Sequence, residues 1–174
     1  MNSSARKVAF DEGFIAERVA LVAQRIVAAP QPVDMAVAIL TGAFVFAADM
    51  LRALARHDLD LPIEFLSLSR YGTAREGADD IAVRLGPTAA VRGRHVLLID
   101  GVLDHGHTLA KARALVLDAG AASVTIAVAV DKARDGALLK ADYAAFRGID
   151  AFIVGYGMDD AGAGRGLPYI ASVE

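Results

Sequence analysis

Apolar residues recur in two rhythms along this chain. Ile15, Val19, Val22 and Ile26 repeat at helical spacing within residues 11–29, and Pro30 and Pro32 end the pattern, which predicts an amphipathic helix. Met35–Leu40 (MAVAIL) has no helical period and stops at Thr41-Gly42, as a buried strand does. Helical spacing returns over residues 44–57, where Phe46, Met50, Leu51 and Leu54 share a face. Residues 62–69 alternate apolar and polar side chains and read as a strand. Residues 70–80 (RYGTAREGADD) have almost nothing to bury and read as a loop, with Ile81–Leu85 the return arm of a hairpin. Residues 94–100 form an apolar strand, 101–107 a turn, and 108–119 a helix closed by Gly120. A buried strand over 123–130 ends at Asp131-Lys132, and short strands are expected at Phe152–Val154 and over 169–173.

Strands that alternate with helices imply right-handed crossovers and an α/β fold with a mainly parallel sheet covered on both faces. Ligands of such sheets sit beyond the carboxyl ends of the strands. Residues 41–42, 100–108, 131–132 and 155–165 are therefore the places to look for chemistry.

Composition narrows the classes. The chain has 174 residues, 55% hydrophobic and 22% charged, enough to build one core in a single domain over residues 1–174. A net charge of -3, 6% aromatic residues and no Trp disfavour a nucleic-acid partner. No apolar run is long enough to span a bilayer and no export leader is evident, so no membrane partner is expected. The absence of Cys removes disulfides, thiolate metal sites and cysteine nucleophiles. It suits a reducing compartment, and a cytoplasmic location is expected.

The most informative stretch is VLLIDGVLDHGHTLAKA, residues 96–112. A buried strand delivers Asp100, Asp104 opens a tight turn with Gly106, and Thr108 starts a helix. Turn N–H groups and a helix N-terminus suit a phosphate, and Asp100 suits sugar hydroxyls or a hydrated Mg²⁺. The plainer alternative makes Thr108 an N-cap and Asp104 a turn former. Taken singly, Lys132 reads as surface charge, Phe152 as core, Arg165 as solvated and Asp159 as part of a turn.

The segment resembles the phosphoribosyl-pyrophosphate (PRPP) motif of type I phosphoribosyltransferases. ILTGAFVFAADML, residues 39–51, looks like that family's pyrophosphate loop and following helix. Arg70-Tyr71-Gly72 falls where its mobile hood begins, a hood expected over about residues 70–85. VDKARD, from Val130, and FIVGYGMDDAGAGRGLPYI, residues 152–170, look like the purine end of the hypoxanthine/guanine branch. The resemblance implies a type I phosphoribosyltransferase fold, a central sheet flanked by helices with a small hood. It implies transfer of the phosphoribosyl group from PRPP to a 6-oxopurine in purine salvage, with Mg²⁺ as cofactor.

By the same resemblance Leu40, Thr41, Gly42 and Arg165 hold pyrophosphate. Asp100 lies under the ribose hydroxyls. Asp104, His105, Gly106, His107 and Thr108 take the 5′-phosphate, with Asp104 also the catalytic acid/base near purine N7. Lys132 meets the 6-oxygen, Phe152 stacks on the base, and Ile153 and Asp159 read its other edge. Asp100 and Asp159 are the metal ligands, and Arg70 and Tyr71 belong to the hood. Family members are usually homodimers or homotetramers, and the helix over 44–54 is a candidate contact face.

Departures from the family pattern cluster at the PRPP end. Gly101 stands where a second acid usually follows Asp100, His105 where Thr or Ser follows the catalytic Asp, Arg70 where Ser precedes the hood Tyr, and Ala43 where Gly is common. AGAGR lacks the usual aromatic and acidic residues before its Arg. With no second acid, the ribose is expected to have one hydrogen-bond acceptor fewer and PRPP to bind more weakly, which Gly101→Asp should restore. The alternative is a catalytically impaired, nucleotide-binding regulatory protein. His105 and His107 alone supply too few ligands for a transition metal.

Overall fold

The computed structural model describes residues 6–70 and 81–173. In chain order these form β1 (Arg6–Phe10), α1 (Glu12–Val27), β2 (Met35–Leu40), α2 (Phe44–Ala55), β3 (Ile63–Arg70), β4 (Ile81–Leu85), β5 (His95–Leu103), α3 (His107–Asp118), β6 (Ser123–Asp131), β7 (Tyr143–Arg147), β8 (Phe152–Val154) and β9 (Ile170–Val173).

Six strands form one sheet in the order β4-β3-β2-β5-β6-β7. All neighbours are parallel except β3 and β4, which make the expected antiparallel hairpin. Side chains of β2 and β5 alternate between two cores. Ala36, Ala38, Leu97 and Ile99 pack with α1 and α2, whereas Met35, Val37, Val96 and Leu98 pack with α3. Helix α1 is capped by Asp11, whose carboxylate accepts the Phe14 N–H at 2.9 Å, and buries the predicted stripe of Ile15, Val19, Val22 and Ile26. A fully buried aliphatic or aromatic side chain contributes about 1.5–3 kcal/mol. These strands are thus the stable frame from which the loops at their carboxyl ends hang.

A second, three-stranded antiparallel sheet runs β1-β9-β8. It docks on the larger one where Phe10 stacks on Phe146 of β7, ring centroids 3.7 Å apart. The hydrophobic pattern predicted neither β1 nor β7. Strand β1 is an exposed edge with little apolar signal, and β7 is a short run after a polar loop.

Two predicted boundaries need correction. Strand β5 does not stop at Asp100 but continues through Gly101 to Leu103. Helix α3 starts at His107, not Thr108, because Gly106 takes the N-cap position with φ +87°. A β-carbon at Gly106 would lie 3.3 Å from a Leu103 methyl, so a glycine suits this tight turn twice over. Thr108 is therefore inside the first helical turn, where it caps nothing. Tyr71 and the rest of residues 71–80 lie outside the described residues, and Arg70 is placed only as the end of β3. Among the described residues no helix is long and apolar enough to cross a membrane.

Candidate active site

The carboxyl ends of β2, β5 and β6 meet β8 and the turn after it around one cavity of about 540 Å³. Leu40, Thr41 and Gly42 come from the end of β2, Asp100 and Asp104 from β5 and its turn, and Lys132 from the residue after β6. Phe152 and Ile153 come from β8, and Asp159 and Arg165 from the following loop. His105, Gly106, His107 and Thr108 line a hollow of about 60 Å³ that shares Asp100, Val102 and Asp104 with the main cavity. Every predicted site residue whose side chain is described thus falls in one connected region. The Leu40–Thr41 peptide, singled out for the pyrophosphate loop, is cis.

Lys132 is not a surface charge. Its side chain is 8% exposed, and its ammonium lies 3.4 Å from the Asp104 carboxylate. Two backbone devices aim it there. The Lys132 N–H donates to the Leu103 carbonyl at 2.9 Å, joining the ends of β5 and β6. The buried Asp131 accepts from the Ala133 N–H at 2.9 Å and from Arg147 at 2.5 Å, which fixes the turn.

Asp104 is the centre of a cationic cluster. Arg134 Nε donates to it at 2.9 Å, and His105 Nδ1 lies 3.3 Å away. Partial burial pushes the Asp104 carboxyl up. The Arg134 hydrogen bond and the charges of Lys132, Arg134 and His105 outweigh that and hold it below the usual carboxylate range. Asp100 behaves in the opposite way. Desolvation on the cavity floor raises it to about 7, against the N–H of Gly101 that donates to it at 2.7 Å. Two carboxyls in one cavity are thus driven apart by their surroundings, a common arrangement where one acid must stay charged and another senses its ligand.

The loop after β8 is held by four contacts that involve side chains. The Tyr156 hydroxyl donates to Asp49 of α2 at 2.7 Å, and burial, with this contact second, pushes that phenol up. Arg165 donates to the Gly157 carbonyl at 2.8 Å and pairs with Asp159 at 2.6 Å. Asp159 also accepts the Gly162 N–H at 2.7 Å. Phe152 is 51% exposed, so it is cavity wall rather than core.

Residues 12–161 match the family model described as a phosphoribosyl transferase domain. The chain belongs to this family. A hypoxanthine phosphoribosyltransferase of Haemophilus influenzae is 35% identical over 138 residues, 79% of this chain and 75% of that one. A hypoxanthine-guanine phosphoribosyltransferase of Bacillus subtilis is 34% identical over 137 residues, 78% and 74% of the two chains. The solved hypoxanthine phosphoribosyl transferase of Trypanosoma cruzi superposes with a TM-score of 0.88 at 28% identity, covering 100% of this chain and 94% of that one. The fold is that of the type I phosphoribosyltransferases, as the motif order implied.

Several residues of this phosphoribosyltransferase site were not legible beforehand. Arg134 and its second partner Asp150 flank the Asp104 cluster. Ser67, Ser69 and Arg84 of the β3–β4 hairpin line the cavity, with Arg84 Nε donating to the Ser69 hydroxyl at 3.0 Å. Only the sign of Arg134, two residues after Lys132, hinted at its place. His105 and His107 stack with centroids 6.4 Å apart. Among the described residues no group of three or more His, Cys, Asp or Glu side chains gathers as a metal cage.

Proposed function

We propose that this phosphoribosyltransferase joins the 5-phosphoribosyl group of PRPP to a 6-oxopurine, hypoxanthine or guanine, releasing pyrophosphate and a nucleoside monophosphate. The observation that carries the reading is the convergence of a buried lysine, an exposed phenylalanine and an ionised carboxylate in one cavity with the β2 loop and Arg165. A ketopurine offers three matching features: an oxygen for Lys132, a flat face for Phe152, and a ring N–H whose proton Asp104 can take.

In the reaction a purine ring nitrogen bonds to the anomeric carbon of the ribose as the bond from that carbon to pyrophosphate breaks. The electron pair leaves with pyrophosphate, and the displaced ring proton passes to Asp104. The low proton affinity that Arg134 and Lys132 impose on Asp104 keeps it ionised and ready. Asp100 sits where it faces the ribose hydroxyls and steadies positive charge at the anomeric carbon. Residues 104–108 take the 5′-phosphate through the turn and the first N–H groups of α3. The main chain of residues 40–42 and the Arg165 guanidinium receive the departing pyrophosphate.

A bound Mg²⁺ neutralises pyrophosphate charge. Asp100 fits it well: an oxygen donor with no cationic side chain among its contacts, whose charge is costly in the free protein. Asp159 fits less directly, since Arg165 and the Gly162 N–H already occupy its oxygens and must give way. One domain over residues 1–174 and a homodimer or homotetramer through the α2 face complete the proposal; the hood expected over about residues 70–85 falls largely on residues 71–80, outside the described residues.

The test is a spectrophotometric assay with PRPP, Mg²⁺ and hypoxanthine, guanine, xanthine or adenine in turn. Turnover is expected with hypoxanthine or guanine and not with adenine, which has no 6-oxygen for Lys132. Saturable nucleotide binding with no turnover on any base would replace the enzyme with a regulatory nucleotide-binding protein.

A further inference from the structure

Gly101 has a neighbour that the sequence did not suggest. A β-carbon built on it would lie 2.8 Å from the Gly42 carbonyl oxygen and 3.2 Å from the carbonyl carbon. A β-carbon on Gly157 would lie 2.6 Å from the same oxygen. Ordinary contacts of a β-carbon are 3.4–4 Å. The Gly42 carbonyl therefore occupies a notch between β5 and the loop after β8 that exists because neither wall carries a side chain. Gly157 has φ +96°, so its identity has a second, conformational reason. Gly101 lies in regular strand, and its reason is the contact alone.

We propose that Gly101 is a positioning residue for the loop of residues 40–42: its missing side chain admits the Gly42 carbonyl and so sets where that loop presents its main chain to the leaving group. The proposal rests on the reading that this loop receives pyrophosphate. It reverses the expectation drawn from the motif. A carboxylate at position 101 does not simply restore a ribose contact, because its β-carbon needs the space that the Gly42 oxygen fills. Something must then shift, and a move of the Gly42 oxygen from 2.8 to 3.4 Å, about 0.6 Å, restores ordinary contact. Displacements of that order at a reacting centre change rates by about 10–100-fold.

The experiment compares Gly101→Ala and Gly101→Asp with the parent enzyme. Both variants are expected to raise KM for PRPP, and KM for pyrophosphate in the reverse direction, by about tenfold or more. KM for the purine and the melting temperature should stay near the parent values, a split that a merely structural role would not give. An unchanged KM for PRPP in Gly101→Ala, or a lower one in Gly101→Asp, overturns the proposal while leaving the enzyme reading intact. If the parent shows no turnover, the enzyme reading fails and the packing is still decided by a crystal structure of Gly101→Ala. A shifted Gly42 peptide is expected there, and an unmoved one overturns the proposal. Should that variant not fold, crystals of the parent with Mg²⁺ and pyrophosphate decide it: the Gly42 carbonyl stays in the notch, or it leaves and the proposal falls.

Discussion

The two ends of the cavity are assembled by opposite means. At the proposed base end, the assigned contacts are side chains, and other residues hold them. Lys132 is aimed by Asp131 and Arg147 beneath it, and Phe152 stands on a strand paired to β9. At the proposed phosphoribosyl end, residues 40–42, the turn at Gly106 and the first turn of α3 are assigned contacts through their main chain, beside the side chains of Asp100 and Arg165. An end built of side chains changes its ligand when one side chain changes. An end built of main chain tolerates exchanges of side-chain type, as at His105, but responds to volume, as at Gly101. The departures from the family motif gather at the end that can absorb them.

The largest effect should come from Asp104, which serves both ends. Asp104→Asn removes the proton acceptor, and kcat should fall by about 10²–10⁴-fold. The asparagine amide oxygen can still accept from Arg134 and Lys132, so the variant should fold. An unchanged kcat would take Asp104 out of the chemistry.

Lys132→Met sharpens the contrast between ends. A hydrogen bond to a charged group is worth about 1.5–3 kcal/mol, so kcat/KM for hypoxanthine should drop about 10–150-fold. KM for PRPP should not follow. If it rises equally, the two ends are one unit and the division fails.

Asp100→Asn should trade function for stability. The Asp100 carboxyl rises in the fold from 3.8 to about 7, so the folded state binds its proton more tightly than the unfolded chain does. Between those values, stability of the parent falls as pH rises. An amide keeps the acceptor for the Gly101 N–H without the charge. Melting at pH 8 without Mg²⁺ should show the variant more stable, by about 1–3 kcal/mol, with the gain fading as pH drops well below 7. A variant less stable at pH 8 contradicts the assignment of a costly buried charge.

Arg134→Gln should give the smallest change. It removes the contact that most strongly lowers Asp104, so the acid limb of the kcat–pH profile should move upward while the plateau stays close to that of the parent. A profile that does not move means that the remaining neighbours, Lys132 and His105, set the proton affinity.

Much of this was legible from the sequence because it is local. The all-apolar runs of β2, β5 and β6 and the stripe of α1 need only their own residues to declare themselves. The order of motifs then placed ten predicted residues around one cavity. What stayed hidden depends on distant partners. Strand β1 is exposed and has meaning only beside β9, more than 150 residues away in sequence by the pairing of Arg6 with Val173. Gly101 read as the first residue of a turn, where the motif usually carries a second acid. It lies within β5 because the Gly42 carbonyl, from another strand, takes the place of its side chain. Arg134 drew no reading of its own from the sequence, because its partners Asp104 and Asp150 are 30 and 16 residues away.

The small sheet also sets a timetable for synthesis. Strands of the large sheet are all on hand once Arg147 has been made. The wall that carries Phe152 needs β9 as its partner, and β9 needs β1, among the first segments described in the chain. Pairings of such long separation are the slow ones in folding. A nascent chain therefore holds the turn at Gly106 and Lys132 for an interval before the cavity wall that carries Phe152 is complete.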